Sequence, residues 1–216
     1  MSRRAPRLCA AALSLFAALS WGASAPPPDF AGEPVSDAVV YTVTQALTYG
    51  DAVGRPFAVV DKREARLYLF DAAGRLTGAA PALLGAAPGD TAIADIAQRS
   101  PASLAPHERS TPAGRFESQP GHNDKGEAIV WVDYAASLAL HRLRPAPPAE
   151  RRVARLASPS PDDNRITLGC IVVPVAFYEA VVEPLLGRQR GVVYVLPESG
   201  PVQALFASNR FAALAR

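Results

Sequence analysis

The sequence predicts a β-rich α+β domain. Two observations point there. Short segments rich in β-branched and aromatic residues recur between turn residues, at 57–60, 65–70, 76–85, 129–134, 137–143 and 192–196. Helical stretches are few, and the chain carries no internal repeat.

The elements follow in order. Arg3, Arg4 and Arg7 precede an uncharged apolar run, Leu8–Leu19, and Ala23-Ser24-Ala25 is a small-residue cleavage pattern followed by three prolines. This reads as a secretory signal over 1–25. The run is shorter than the ~20 apolar residues a membrane span needs, so no membrane anchor is expected once the signal is removed. Cys9 lies in the run, but Arg7 stands where a lipoprotein signal requires a small or apolar residue. Residues 26–54 are a Pro-rich linker and an N-terminal helix, Pro34–Tyr49, with Val35, Val39, Val43 and Leu47 four apart and Gly50 as its stop. A main domain over 55–198 begins as a meander, Phe57–Val60, Ala65–Phe70 and Leu76–Gly85, with a turn at Asp71-Ala72-Ala73-Gly74. Residues 86–110 are irregular, broken by Pro88, Gly89, Pro101 and Pro106. Strands are expected at Ile129–Tyr134 and Ser137–Leu143, then a long loop over 144–164 around a short helix at 149–157. Ile166–Val173 is a strand or extended turn, and Pro174–Leu186 a helix with proline at its first position and Gly187 at its end. Val192–Leu196 is a last buried strand, and 199–216 a tail with a helix at Val202–Ala215.

Composition narrows the function classes. Of 216 residues, 191 follow the signal, enough for one cored domain. The formal charge of +2 falls to −1 when the three signal arginines leave, so no nucleic-acid partner is expected. One cysteine remains, which rules out an internal disulfide. An unpaired cysteine in an oxidising compartment is unusual. The three histidines are scattered without metal-ligand spacing, so neither a metal nor a cofactor is expected.

The cysteine lies in Asn164-Arg165-Ile166-Thr167-Leu168-Gly169-Cys170-Ile171-Val172-Val173-Pro174. Beside Ile171, Val172 and Val173, Cys170 alone reads as a small buried hydrophobe. Three features read otherwise. Gly169 permits a sharp turn or a close backbone approach, a helix start nearby favours a thiolate, and His141 on a preceding strand could serve as general base.

From about Arg55 to Pro197 the chain resembles the L,D-transpeptidase catalytic domain family, often called YkuD-like. That family carries an upstream histidine and then Ser/Thr-His-Gly-Cys, and His141 and Thr167-Leu168-Gly169-Cys170 stand at those places. Ser110-Thr111-Pro112-Ala113-Gly114-Arg115-Phe116 matches the family's Thr-Pro-x-Gly-x-Phe, and Phe57–Val60 with Arg66–Phe70 its opening strands. The departures are Leu168 for the motif histidine, Val172 for the polar residue two after the cysteine, and a gap of 25 residues from His141 to Thr167. They mark a divergent branch. The resemblance implies an L,D-transpeptidase-like β-sandwich or barrel with a helix after the catalytic cysteine. It implies Cys170 as nucleophile, His141 as base, and the carbonyl of Arg142 as the group orienting its ring. Backbone N–H groups of Leu168, Gly169 and Cys170 would form the oxyanion hole, which survives the loss of an imidazole at 168 because the donor is main chain. The implied partners are peptidoglycan stem peptides, at the cell wall in the periplasm, met by a monomer.

Other residues carry less. Arg165, Thr167 and His122 are candidates for substrate binding, although His122 sits in a Gly/Asn-rich turn. His107 is weaker still. Arg115 and Arg142 could clamp a carboxylate, and Asp133 or Asp163 could orient His141 instead of a carbonyl. Trp131, Tyr134, Phe177 and Tyr178 read as core. Three functions stay open: acyl transfer through a thioester on Cys170, hydrolysis through the same thioester as a cell-wall carboxypeptidase or amidase, and a degenerate peptidoglycan-binding domain with Cys170 merely buried.

Overall fold

The computed structural model describes residues 27–207; the expected signal over 1–25 and most of the terminal helix lie outside them. Among the described residues ten strands carry the fold, eight in one sheet: β1 (Phe57–Asp61), β2 (Arg66–Phe70), β3 (Leu76–Pro81), β4 (Leu84–Gly85), β5 (Gly114–His122), β6 (Ala128–Asp133), β7 (Leu138–Arg142), β8 (Arg165–Thr167), β9 (Ile171–Val173) and β10 (Gly191–Val195). The sheet runs β3-β2-β1-β10-β5-β6-β7-β9, while β4 and β8 pair separately. Leu83, just past β3, exchanges two backbone hydrogen bonds with Val172 of β9, 2.7 and 2.9 Å. The two ends of the sheet thus meet, and it is nearly a closed barrel.

Both faces of the β1, β2 and β10 region are covered, which explains why those segments read as continuous apolar runs rather than alternating ones. Ala58, Val60, Leu67, Leu69, Val193 and Val195 point into an interior core with Leu140, Ile171 and Val173. Alternate residues Phe57, Val59, Tyr68, Phe70, Val192 and Tyr194 point outward, under α1 (Asp37–Thr48) and Phe206. The helix lays Val39, Val43 and Ala46 on that face. Ser36 caps it, accepting from the Val39 N–H, and donates to Asp61 at 2.6 Å, fixing α1 to the end of β1. A second helical layer, α3 (Val175–Phe177), a π turn (Tyr178–Val182) and α4 (Glu183–Leu185), closes the interior with Tyr178, Val182 and Leu186.

Several expectations are refined. Leu76–Gly85 is not one strand: it ends at Pro81 and β4 turns away to pair with β8. Ile166–Val173 is two strands, β8 and β9, split by Leu168-Gly169-Cys170. The 149–157 helix is a 3-10 turn at Pro148–Glu150 followed by α2 (Arg152–Leu156). Pro174 is the cap before α3 rather than its first residue. The terminal segment is a 3-10 helix, Val202–Phe206, as far as it is described. Tyr134 is not core: it is 69% exposed, although Trp131 packs edge-on against it. The longest strand, β5, was not anticipated. GRFESQPGH offers one large apolar residue and no alternation, and it is extended because β10 and β6 supply ladders on both sides.

Candidate active site

Cys170 sits where two parallel strands part. β7 pairs with β9, with Leu140 opposite Ile171 and His141 opposite Val172, so Cys170 stands one residue before the paired stretch. Its sulfur lies 3.6 Å from the Ser137 carbonyl, to which the thiol can donate. The Ala139 N–H also points at it, favouring the thiolate. The residue is half-buried, and its open side faces a cleft of about 310 Å³.

The turn that presents it is held from three directions. Gly169 takes φ +138°, and a Cβ there would stand 2.9 Å from the Ser110 carbonyl oxygen, so only glycine fits. The Thr167 hydroxyl donates to the Cys170 carbonyl at 2.7 Å and accepts the Gly169 N–H at 3.1 Å. The buried Thr111 hydroxyl donates to the Gly169 carbonyl at 2.8 Å and accepts the Gly85 N–H at 2.9 Å. The two Thr-containing motifs, 56 residues apart in sequence, therefore meet at this one turn. With the Gly169 N–H spent on Thr167, the N–H groups of Leu168 and Cys170 are the ones with no acceptor among the described residues.

His141 is 6% exposed and does not line the cleft. On β7 His141 lies two residues beyond Ala139, whose N–H meets the sulfur, and no hydrogen bond joins the ring to the sulfur among the described residues. Nδ1 lies 2.8 Å from the Arg142 carbonyl. A carbonyl can only accept, so Nδ1 carries the hydrogen and Nε2 keeps its lone pair. Burial chiefly, helped by Arg144 and Arg152 and opposed by the Arg142 hydrogen bond and Glu127, lowers the ring's pKa to about 4. Burial pushes the Cys170 thiol up. At rest the thiol and the imidazole are thus both neutral.

The other candidates fall elsewhere. Arg165 is already engaged: its guanidinium lies 2.7 Å from Glu198, off-line for a hydrogen bond, and donates to the Lys62 carbonyl at 2.8 Å. Thr167 is buried and faces the turn, not the cleft. His122 is exposed at the end of β5 and His107 on a 3-10 turn, and neither lines the cleft; Asp124, two residues past His122, does. Arg115 is bound to Asp51 and Glu117, and Arg142 is paired with Glu127. Asp133 caps the Ala135 and Ala136 N–H groups and Asp163 takes the Ser158 hydroxyl, so neither reaches His141. Among the described residues no group of three or more His, Cys, Asp or Glu could hold a metal, and no described helix is long and apolar enough to cross a membrane.

Two features lay outside what the sequence pattern disclosed. One wall of the cleft comes from the irregular segment, through Ala92, Ile93, Ile96 and Leu104, braced by Arg99, which binds Glu108 in a two-bonded pair at 2.6 and 2.9 Å. Behind the turn, Lys62 is fully buried and donates to the Gly89 carbonyl, Asp90 and the Thr111 carbonyl at 2.6, 2.8 and 2.8 Å. A lone Lys after an apolar strand gives no signal of this, because its partners lie 27 to 49 residues away.

No protein-family model matches the sequence, and no curated protein matches it. Solved structures do. An L,D-transpeptidase from Xylanimonas cellulosilytica is 16% identical over 65% of this chain and 60% of that one, with a TM-score of 0.41. The helical cell shape determining protein Pgp2 from Campylobacter jejuni is 13% identical over 74% and 55%, with a TM-score of 0.43. This chain therefore spans less than two thirds of either. The catalytic domain of an E. faecium L,D-transpeptidase is 16% identical over 66% of this chain and 98% of its own length, with a TM-score of 0.35. The structures to which this chain is similar thus include two L,D-transpeptidases and a cell-shape protein.

Proposed function

We propose that this protein is an extracytoplasmic cysteine acyltransferase acting on peptidoglycan stem peptides, of the L,D-transpeptidase kind. The observation that carries the reading is the Thr167–Cys170 turn. It is clamped by Thr111 and closely approached by Ser110 from the second motif, its sulfur opens on a cleft, and His141, with its tautomer fixed, lies two residues along β7 from Ala139, whose N–H meets the sulfur. In the reaction His141 Nε2 takes the thiol proton, and the sulfur attacks a peptide carbonyl. The C–S bond forms, the C–N bond breaks, and the imidazolium returns the proton to the leaving amine. The oxyanion is received by the N–H groups of Leu168 and Cys170, each such donor contributing about 3 kcal/mol. An acceptor amine, or water for the carboxypeptidase variant, then releases the thioester.

A second reading, a binding domain without turnover, is favoured by one observation: burial holds both partners of the pair neutral at rest. A carbapenem, which acylates the nucleophilic cysteines of this family, separates the two. Incubation of the protein lacking its signal should add the drug's mass to the wild type and not to Cys170→Ala. An unmodified wild type would leave only the binding domain. If the adduct forms, muropeptide products distinguish transfer, which cross-links, from hydrolysis, which trims.

A further inference from the structure

Resting on the thioester reading above, we infer that Glu127 is a positioning residue for that reaction: it holds Arg142 and Arg144 as ion pairs beside His141, so that the ring can carry the proton it takes from Cys170. Glu127 closes the turn between β5 and β6. Asn123 shapes that turn, its Oδ1 accepting the Lys125 and Glu127 N–H groups at 2.9 and 3.0 Å while its Nδ2 donates to the Glu127 carboxylate at 3.1 Å. The carboxylate so aimed accepts from Arg144 Nε at 2.6 Å and lies 3.2 Å from Arg142 Nε. Arg142 is also the residue whose carbonyl orients the His141 ring.

The surrounding charges give this carboxylate its role. Proton transfer would turn a neutral, buried ring into a buried cation, which needs a counter-charge. Arg144, just past β7, and Arg152 on α2 oppose that cation, and Glu127 favours it. Arg152 has its own partner in Glu150. Arg142 lies over the Tyr178 ring and has a second partner in Glu179, 3.7 Å away. The Glu179 side chain is 55% exposed against 19% for Glu127, so solvent screens it more. Arg144 also favours the Cys170 thiolate. Glu127 lets that arginine act on the sulfur while offsetting its repulsion of the ring. The Arg142 backbone, by contrast, is held without Glu127: it pairs with Val173, whose carbonyl accepts the Leu143 N–H at 2.8 Å. Glu127 thus acts on the charge around the ring rather than on the carbonyl that orients it.

Carbapenem acylation of Cys170, timed by mass over a range of drug concentrations, tests this. In that reaction the C–S bond forms, the lactam C–N bond breaks, and the lactam nitrogen receives the proton that His141 holds. Glu127→Gln keeps the size of the side chain and removes its charge. The rate at saturating drug should fall by about tenfold, the lower end of what an opposite charge contributes to a partly buried group, while the concentration giving half that rate stays as in wild type. Glu127→Asp, which keeps the charge on a shorter stem, should recover part of the loss. A purely structural role for Glu127 would shift the half-rate concentration and would not respond to the charge. An unchanged saturating rate in Glu127→Gln, a loss as large in Glu127→Asp, or a change confined to the half-rate concentration overturns the inference and leaves the thioester reading standing. A wild type that takes up no drug at Cys170 overturns both.

Discussion

Gly169 and His141 show how much of the site depends on single residues. A methyl at 169 meets both a positive φ and the Ser110 carbonyl oxygen at 2.9 Å. Gly169→Ala should therefore cost more than the ~1 kcal/mol typical of such sites, and displace the sulfur; a lowered Tm together with lost carbapenem acylation checks this. In the proposed reaction His141 links activity and stability through one proton. Its folded pKa of about 4 lies below the ordinary 6.5, so between these values the unfolded chain holds a proton that the folded chain does not. Stability from this group is complete above the upper value and is lost as pH falls towards the lower, by ~3 kcal/mol in all. His141→Gln should thus lose less stability than wild type between about pH 7 and pH 4.5, as read from urea midpoints. It should also abolish acylation. In the proposed reaction the neutral ring is the base, so the acid limb of wild-type acylation should lie near the folded value.

At the scale of elements, the turn between β8 and β9 is held by β4 and the segment before β5 as well as by Thr167 at the end of β8. Thr111 spans that junction, bonding Gly85 and Gly169 at once. Thr111→Val keeps the shape but leaves a buried N–H and a carbonyl without partners, at a cost of about 1–3 kcal/mol. It should slow Cys170 acylation as well as lower Tm, whereas Thr111→Ser, which keeps the hydroxyl, should do neither to the same degree. Chemical denaturation run beside an acylation time course checks both effects. The motif around Thr111 was legible in the sequence, but its role was not. A hydroxyl that satisfies two distant backbone groups has no local signature, and the strand it precedes has no alternation to announce it. The same holds for Arg165 and Thr167. Their positions next to Cys170 suggested substrate contact, yet their side chains turn inward to Glu198 and to the turn itself.

Across the whole molecule, Lys62 joins what the chain order separates. Its ammonium ties the β1–β2 turn to Asp90, to Gly89 and, through Thr111, to the cysteine turn. Asp90 in turn accepts from Glu198 and Ser199 after β10. These contacts hold the Asp90 carboxyl far below its usual range, while burial lowers the Lys62 pKa. Lys62→Met leaves buried acceptors and carboxylates without their cation, a loss of ~3 kcal/mol or more. Tm should fall by roughly 6–12 °C for a domain of this size, which calorimetry would register.

What the sequence determined by itself is what neighbouring residues decide: the β-rich class, most strand and helix positions, and the turn at Asp71–Gly74. Periodicity, turn chemistry and short motifs are local, and they survive in one dimension. Only the tertiary structure decided that the sheet nearly closes through Leu83 and Val172, that β5 is a strand, and that the irregular 92–104 segment walls the cleft. It also decided which polar side chains are already engaged, as Arg165 and Thr167 are. Those outcomes depend on hydrogen-bond partners and burial contributed by residues tens of positions away, and the desolvation that sets the His141 and Cys170 proton affinities exists only once the chain has closed around them.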